Sequence, residues 1–358
     1  MWVDDDWAGS ACGDLVDGHL FGYDAFATIQ DGVDGVCDGG TVNVADGTYY
    51  EDLSIGKALT LQATSSPVID GDTDGDGIPD GDAISINADG VTIDGFEIRN
   101  GYNGISGETS NSTVSNNVIH DNLNTPGYAG VGILLWGDND DNTIVGNEIY
   151  DNDRQGIFIG YENDTKISTG NTISGNTVYN NGLYRNANGP DESEYGIQLW
   201  NADENSITSN EVYGHDDWYF AQGIYLNGSS DSNTLSANII HDNKYGVSLW
   251  DNCVGNVITD SVSSNIIHGN EKNGVTIFDE GSTSTVIHGN QFCSNGEYGV
   301  RNYGTTMVDA ENNWWGDASG PSGVGPGIGD AVSDHVDYDP WTTTPPTSGP
   351  CVPVPSPC

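Results

Sequence analysis

Apolar and polar positions alternate along most of this chain in short strand-like runs. The runs recur with a period of roughly 25–30 residues between about Gly104 and Tyr303. One run has the form Gly-(Ile/Val)-x-(Leu/Ile), as in Gly132-Ile133-Leu134-Leu135-Trp136, Gly196-Ile197-Gln198-Leu199-Trp200, Gly246-Val247-Ser248-Leu249-Trp250 and Gly274-Val275-Thr276-Ile277-Phe278. The other has the form Asn-x-(Ile/Val)-(His/Tyr), as in Asn117-Val118-Ile119-His120, Asn147-Glu148-Ile149-Tyr150, Asn238-Ile239-Ile240-His241 and Asn265-Ile266-Ile267-His268. A strand sends successive side chains to opposite faces, so each run has an apolar face to bury. One such unit cannot bury that face alone, and a fixed period of this length means that units stack. The expected architecture is all-β, a solenoid of successive coils.

The ends of the pattern differ from its middle. Phe26, Ile29, Val33 and Val36 stand at three- and four-residue spacing, which predicts an amphipathic helix over 24–37. Residues 1–40 are therefore expected to cap the open end of the solenoid. Coils are expected over 41–310, beginning with Thr41-Val42-Asn43-Val44 and Ala58-Leu59-Thr60-Leu61-Gln62. Asn312-Asn313-Trp314-Trp315-Gly316 breaks the period, and 311–341 is expected to form a second cap. Residues 342–358 are rich in Pro, Thr and Ser and read as a linker within a longer exported precursor.

Together the two run types, the Gly39-Gly40-Thr41-Val42 and Gly47-Thr48-Tyr49 opening and the Asn312–Gly316 close resemble the pectate-lyase-like superfamily of right-handed parallel β-helix proteins. The resemblance is strongest to the NosD-like repeat proteins of bacterial and archaeal surfaces, and it covers nearly the whole chain. It implies a single-stranded right-handed parallel β-helix. It does not imply one activity, because that superfamily includes lyases, hydrolases, epimerases and non-catalytic surface modules.

Charge narrows the partners. Eight Lys+Arg stand against 54 Asp+Glu, a formal −46, so nucleic acid and a bare anionic membrane are excluded as partners. A polyuronate is repelled as well, which leaves neutral or calcium-bridged glycans. No run is long and apolar enough to insert in a bilayer. Self-association along the solenoid axis is compatible with this composition. The six cysteines contain no Cys-x-x-Cys pair, and in an exported chain they favour disulfides, with Cys12–Cys37 and Cys351–Cys358 as the local pairings.

The sharpest local motif is Asp70-Gly71-Asp72-Thr73-Asp74-Gly75-Asp76-Gly77-Ile78-Pro79-Asp80-Gly81-Asp82. Asp72, Asp74, Asp76 and Asp80 follow the D-x-D-x-D-G-x-x-D order of calcium loops, with Asp70 and Asp82 as flanking oxygens. Ala83 replaces the bidentate Glu of an EF-hand, and the loop resembles thrombospondin type 3 loops instead. A solvated acidic turn is the alternative. His120, His241 and His268 share one slot with Tyr150, Tyr179, Tyr213 and Cys293, which marks a packing position rather than a ligand set. Asn117, Asn147, Asn176, Asn210, Asn238, Asn265 and Asn290 are expected to stack as an amide ladder.

Two departures from the repeat carry candidate function. If Ile133 and Leu135 point inward, Trp136 points outward, and the same count puts Trp200, Trp250, Phe278 and Tyr303 on one outer face beside Phe158 and Tyr225. Flat rings suit sugar faces, and Trp218 and Tyr219 extend the set; packing of the rings on the coil corner is the alternative. The second departure is loop length. The steps from ladder Asn to next strand Gly are 15, 9, 20 and 13 residues, then 8, 9 and 9. The swollen loops hold Tyr128, Tyr184, Arg185, Asp191, Glu192, His215, Asp216 and Asp217, and Arg154 sits on the short coil between them. Two functions follow. One is a non-catalytic, calcium-stabilised surface module that binds glycan or serves as a structural or adhesive element. The other is a polysaccharide lyase or epimerase, with Arg154 or Arg185 neutralising a carboxylate, His215 or a Tyr as base and a second calcium held by Asp216 and Asp217, or a hydrolase using pairs among Asp191, Glu192, Asp216 and Asp217.

Overall fold

The computed structural model of the chain describes every residue except 124–128, 162–165, 183–193, 217–218, 260–262, 347–349 and 352–358. Three parallel sheets run along a single solenoid, with 14, 10 and 12 strands in the order in which a coil visits them. One coil illustrates the path: Thr143–Val145 in the first sheet, Glu148–Tyr150 in the second and Ile157–Gly160 in the third. This is a right-handed parallel β-helix.

Successive coils pair in strict register, so each slot of the repeat becomes a column parallel to the axis. In the first sheet Ile93, Val114, Ile144, Ile173, Ile207 and Leu235 form one inward column. In the second sheet Ile98, Ile119, Ile149, Val178, Val212, Ile240 and Ile267 form another. All of these are buried and belong to one continuous core. Full burial of an Ile contributes roughly 1.5–3 kcal/mol, and this repeated burial offsets the entropy of ordering so many short strands.

The corners carry amides. Asn117, Asn147, Asn176, Asn210, Asn238, Asn265, Asn290 and Asn313 follow one another between the first and second sheets. In a typical step Asn210 donates both its backbone N–H and its Nδ2 to the Asn238 Oδ1, at 3.0 and 3.1 Å. The Asn238 Nδ2 then donates to the Ile207 carbonyl of the preceding coil. A second ladder turns the corner into the third sheet through Asn122, Asn152, Asn181, His215, Asn243, Asn270 and Asn295, and ends on Asp330. A third, through Asn142, Asn171, Asn205, Asn233 and Asn256, closes the triangle. The backbone groups that a sharp corner strands are thereby satisfied.

The ladders also explain the motif glycine. A Cβ on Gly196 would lie 2.5 Å from Val212 and 3.0 Å from the His215 ring, and one on Gly156 would lie 2.9 Å from the Asn181 Nδ2. The strand cannot approach the corner with any larger residue.

At the N-terminal end the helix runs Ile29–Gly35, with Thr28 as N-cap accepting from the Asp31 N–H and Ile29 and Val33 buried. It is shorter than the 24–37 pattern because Ala25–Phe26 pairs in parallel with Trp2–Val3 as strand. At the other end Trp314 and Trp315 are buried, and Trp315 stacks on Phe292 at 4.9 Å. The cysteine pairings differ from the local expectation. Cys293 bonds Cys351, across 58 residues, while Cys12, Cys37 and the buried Cys253 are free. The register sets Cys293 beside His268 at the last coil, where the returning tail meets it. Cys12 is not bonded to Cys37, and Cys351 is taken by Cys293, while Cys358 lies outside the described residues. No helix among the described residues is long and apolar enough to cross a membrane.

Candidate functional site

Two outward faces carry rings. On the second sheet the slot shared by His and Tyr becomes a continuous stack: His120, Tyr150, Tyr179, Tyr213, His241 and His268, with centroids 4.8–5.0 Å apart and interplanar angles of 3–9°. Each inner ring uses both faces on its neighbours. Flanking carboxylates hold the edges: Glu148 accepts from the Tyr179 hydroxyl at 2.9 Å, and Asp121 and Asp242 meet the Nδ1 of His120 and His241 at 2.8 Å. This is a packing column.

The third sheet is different. Its outermost slot runs Trp136, Gly160, Trp200, Asn227, Trp250, Phe278 and Tyr303 in one register. Trp136, Trp250 and Tyr303 are 38%, 41% and 48% exposed. The gap at Gly160 is forced, since a Cβ there would stand 1.8 Å from the Trp200 carbonyl oxygen. Trp200 folds onto Gly228 of the next coil, so it is the most recessed of the indoles. Phe220 lies across the column, 5.5 Å from Trp250, 5.6 Å from Phe278 and 6.3 Å from Tyr245. Phe158 and Tyr225 occupy the adjacent column and are buried.

Beneath and beside these rings is a polar floor. The residue before each motif glycine alternates amide and phenol over six coils: Gln155, Tyr195, Gln222, Tyr245, Asn273 and Tyr298. The middle column supplies Gln198, Ser248 and Thr276, all buried. Some bonds are made: Gln155 Nε2 to Gln198 Oε1 at 2.8 Å, Gln198 Nε2 to Asn227 Oδ1 at 3.1 Å, and Asn273 Nδ2 to Thr276 Oγ1 at 3.0 Å. Others are not. Both amide atoms of Gln222, the Ser248 Oγ, the Asn273 Oδ1 and the Gln155 Oε1 are buried with no hydrogen-bond partner among the described residues. A buried donor or acceptor left unpaired costs about 1–3 kcal/mol, so ordered water or a bound polar group is expected to complete these atoms. The sequence signal for this floor is the Gln/Tyr alternation before each glycine.

The remaining sequence candidates scatter. His215 is not off-register: it is a rung of the second amide ladder, 1% exposed, with its Nδ1 2.9 Å from the Asn243 Oδ1. Burial pushes its pKa down to about 4, so it is neutral and walled off from any groove. Arg154 is buried one residue before Gln155, with its backbone N–H donated to the Gly130 carbonyl. Asp216 is exposed, and Tyr219 is 70% exposed with its ring 5.4 Å from Phe220. Tyr128, Tyr184, Arg185, Asp191, Glu192, Asp217 and Trp218 lie outside the described residues.

In the acidic loop, carboxylate oxygens of Asp72, Asp74 and Asp80 converge within 4.8 Å of one another. Backbone donors shape the turn: Gly75, Asp76 and Gly77 give their N–H groups to Asp72. Asp76 instead accepts from the Ile78 N–H, Asp70 pairs with Arg99 at 3.0 Å, and Asp82 accepts from Asn103 and the Ser106 hydroxyl. These three are not among the convergent group. Burial, with Asp80 and Asp82 alongside, pushes the Asp52 carboxyl up to about 6.

With this geometry in view, the relatives can be compared. A stretch of 97 residues, 26% of this chain, is 34% identical to a cell surface glycoprotein of Methanothermus fervidus, and it spans only 16% of that protein. Among solved structures, the A-module of the mannuronan C-5 epimerase AlgE4 of Azotobacter vinelandii superposes with a TM-score of 0.53 at 15% identity, covering 96% of this chain and 99% of that one. A lacto-N-biosidase of Eubacterium ramulus gives 0.56 at 15% identity over 95% and 67% of the two chains. Pectate lyase Pel9A gives 0.51 at 13% identity over 98% and 82%. At these identities the likeness shows the fold alone.

The family model for NosD, described as a periplasmic copper-binding protein, matches residues 37–261. Copper favours imidazole and sulfur donors. The convergent group of three among the described residues offers only carboxylate oxygens, and His215, His241 and His268 are committed to ladder and stack. The described residues therefore do not fit a copper centre, while the match itself extends over more than half of the chain. On that match, the chain belongs to the NosD family, whose fold is the parallel β-helix seen here.

Proposed function

We propose that the protein is a cell-surface or periplasmic module that holds a glycan along the outer face of the third sheet without turning it over. The observation that carries this reading is the pairing of exposed rings (Trp136, Trp250, Tyr303) with a buried floor whose Gln222, Ser248 and Asn273 atoms lack partners among the described residues. Sugars need both elements. Ring faces stack on the apolar side of a pyranose, and amides and hydroxyls, which donate and accept, bond its hydroxyl groups. Phe220 lies over this floor, so binding moves that ring aside. His215, one of the bases weighed for a catalytic reading, is a buried rung of the ladder, which favours binding without turnover.

Asp72, Asp74 and Asp80 would hold a divalent cation, calcium by the hardness of their oxygen donors, and that ion would neutralise the loop's carboxylates. Its role is structural, since the loop belongs to the early coils and the ring face to the later ones. The disulfide fits an oxidising, exported setting. The test is a panel of neutral and acidic polysaccharides incubated with the protein and calcium, scored for retention and for new reducing or unsaturated ends. Retention with no new ends is expected. Released ends would overturn the non-catalytic reading, and a panel without retention would overturn the binding one.

A further inference from the structure

We infer that the ring face ends, toward the C-terminal cap, in a subsite where Arg301 reads an anionic group of the glycan, a carboxylate or a sulfate. The inference rests on the glycan reading above and adds the ligand's charge. The chain has only 8 Lys+Arg against 54 Asp+Glu. Three of those cations, Lys244, Lys272 and Arg301, nevertheless lie on consecutive coils of this one face, with the lysines immediately before Tyr245 and Asn273.

Their pairing is incomplete. Lys244 bonds Glu271 at 2.7 Å, Lys272 bonds one oxygen of Glu297 at 2.5 Å, and the Arg301 Nη1 bonds the other at 2.9 Å. Three cations thus share two carboxylates within this cluster.

Arg301 is also held in place. Its guanidinium lies 4.3 Å from the Tyr303 ring centroid and 4.9 Å from that of Tyr298, so aromatic faces fix the plane of the fork. Only Nη1 is engaged, and the other edge donors have no protein partner among the described residues. Arg301, Tyr298, Tyr303, Thr305, Asp334 and His335 line a cavity of about 420 Å³ at this end of the column. Asp334 is the one carboxylate in that lining, and it is exposed. A planar guanidinium with free edge donors matches the paired oxygens of a carboxylate or sulfate. The net charge of the chain does not forbid this. Charges more than about 8 Å away are largely screened at physiological ionic strength, so contact chemistry decides.

The experiment is calorimetric titration of the full chain with three oligosaccharides of one backbone: neutral, uronate-bearing and sulfate-bearing. Wild-type protein is expected to bind at least one anionic form about tenfold tighter than the neutral form, and the arm that gains identifies the group. Arg301→Gln is expected to lose that preference and keep neutral binding. Arg301→Lys is expected to keep part of it, and Trp250→Ala to weaken all three alike. Equal wild-type binding of the three, or an unchanged preference in Arg301→Gln, overturns the inference and leaves the glycan reading intact. If wild-type protein binds none of the three, both fall.

Discussion

On the second sheet the rings from His120 to His268 lie parallel and evenly spaced, and each face is used by a neighbour. On the third sheet the rings meet at angles from 8° to 87°, the column is broken at Gly160 and Asn227, and part of the polar floor is unpaired. The two columns come from two slots of the same repeat, one on each strand run. Evenness is what a stacking register gives when nothing else acts on it. The disorder of the third-sheet column is thus the informative state, because its free ring faces and stranded amides are costs that packing alone would have removed.

The comparison can be broken in several ways, and the largest effect is expected in the ladders that carry both faces. Asn238→Ala leaves the Asn210 donors and the Ile207 carbonyl without their partner. It should lower unfolding free energy by about 3 kcal/mol or more, measured by denaturant melts. A loss under 1 kcal/mol would mean that water replaces the rung.

His215 provides a test with a sign. Its folded pKa lies near 4, below the ordinary 6.5, so its stabilisation is present above pH 6.5 and is lost as pH falls toward 4. His215→Asn, which restores the ladder's own residue, should remove a loss on the order of 3 kcal/mol across that window. Identical pH profiles for the two proteins would place the imidazole in solvent.

Removal of the cation is expected to matter less. Chelator should lower the melting temperature, by the equivalent of about 2–3 kcal/mol if calcium stands near a hundredfold over its dissociation constant, and Asp74→Asn should abolish the difference. Asp52 adds a pH effect. With its folded pKa raised to about 6, the stability it contributes below pH 3.8 is lost as pH rises through 6, and calcium on the adjoining loop should flatten that slope. An unchanged melting point in chelator would return the loop to a solvated turn. The smallest effect belongs to the stacked column. Tyr179→Ala interrupts two ring contacts and should cost about 1–2 kcal/mol without touching glycan binding.

Much of this was legible in the chain. The period gave coils, the Asn-x-Ile spacing gave one amide ladder, and counting from Ile133 put Trp136, Trp200, Trp250, Phe278 and Tyr303 in one column. His215 was misplaced for a definite reason. The second ladder follows the first by five residues, so its rungs fall in the variable loop, where a histidine looks like a departure rather than a rung. The polar floor was missed because Gln222 and Ser248 point outward in the repeat yet are buried, by covering rings such as Phe220 that no periodicity encodes. The Cys293–Cys351 bond depends on where the tail returns, which is also set in three dimensions.

The central claim is that the third-sheet face, and not the second, is the ligand surface. Glycan titration of Trp250→Ala beside Tyr179→Ala tests it most directly. The account predicts that Trp250→Ala loses about tenfold or more in affinity while Tyr179→Ala binds as wild type. Equal losses in the two variants, or a loss confined to Tyr179→Ala, would contradict it.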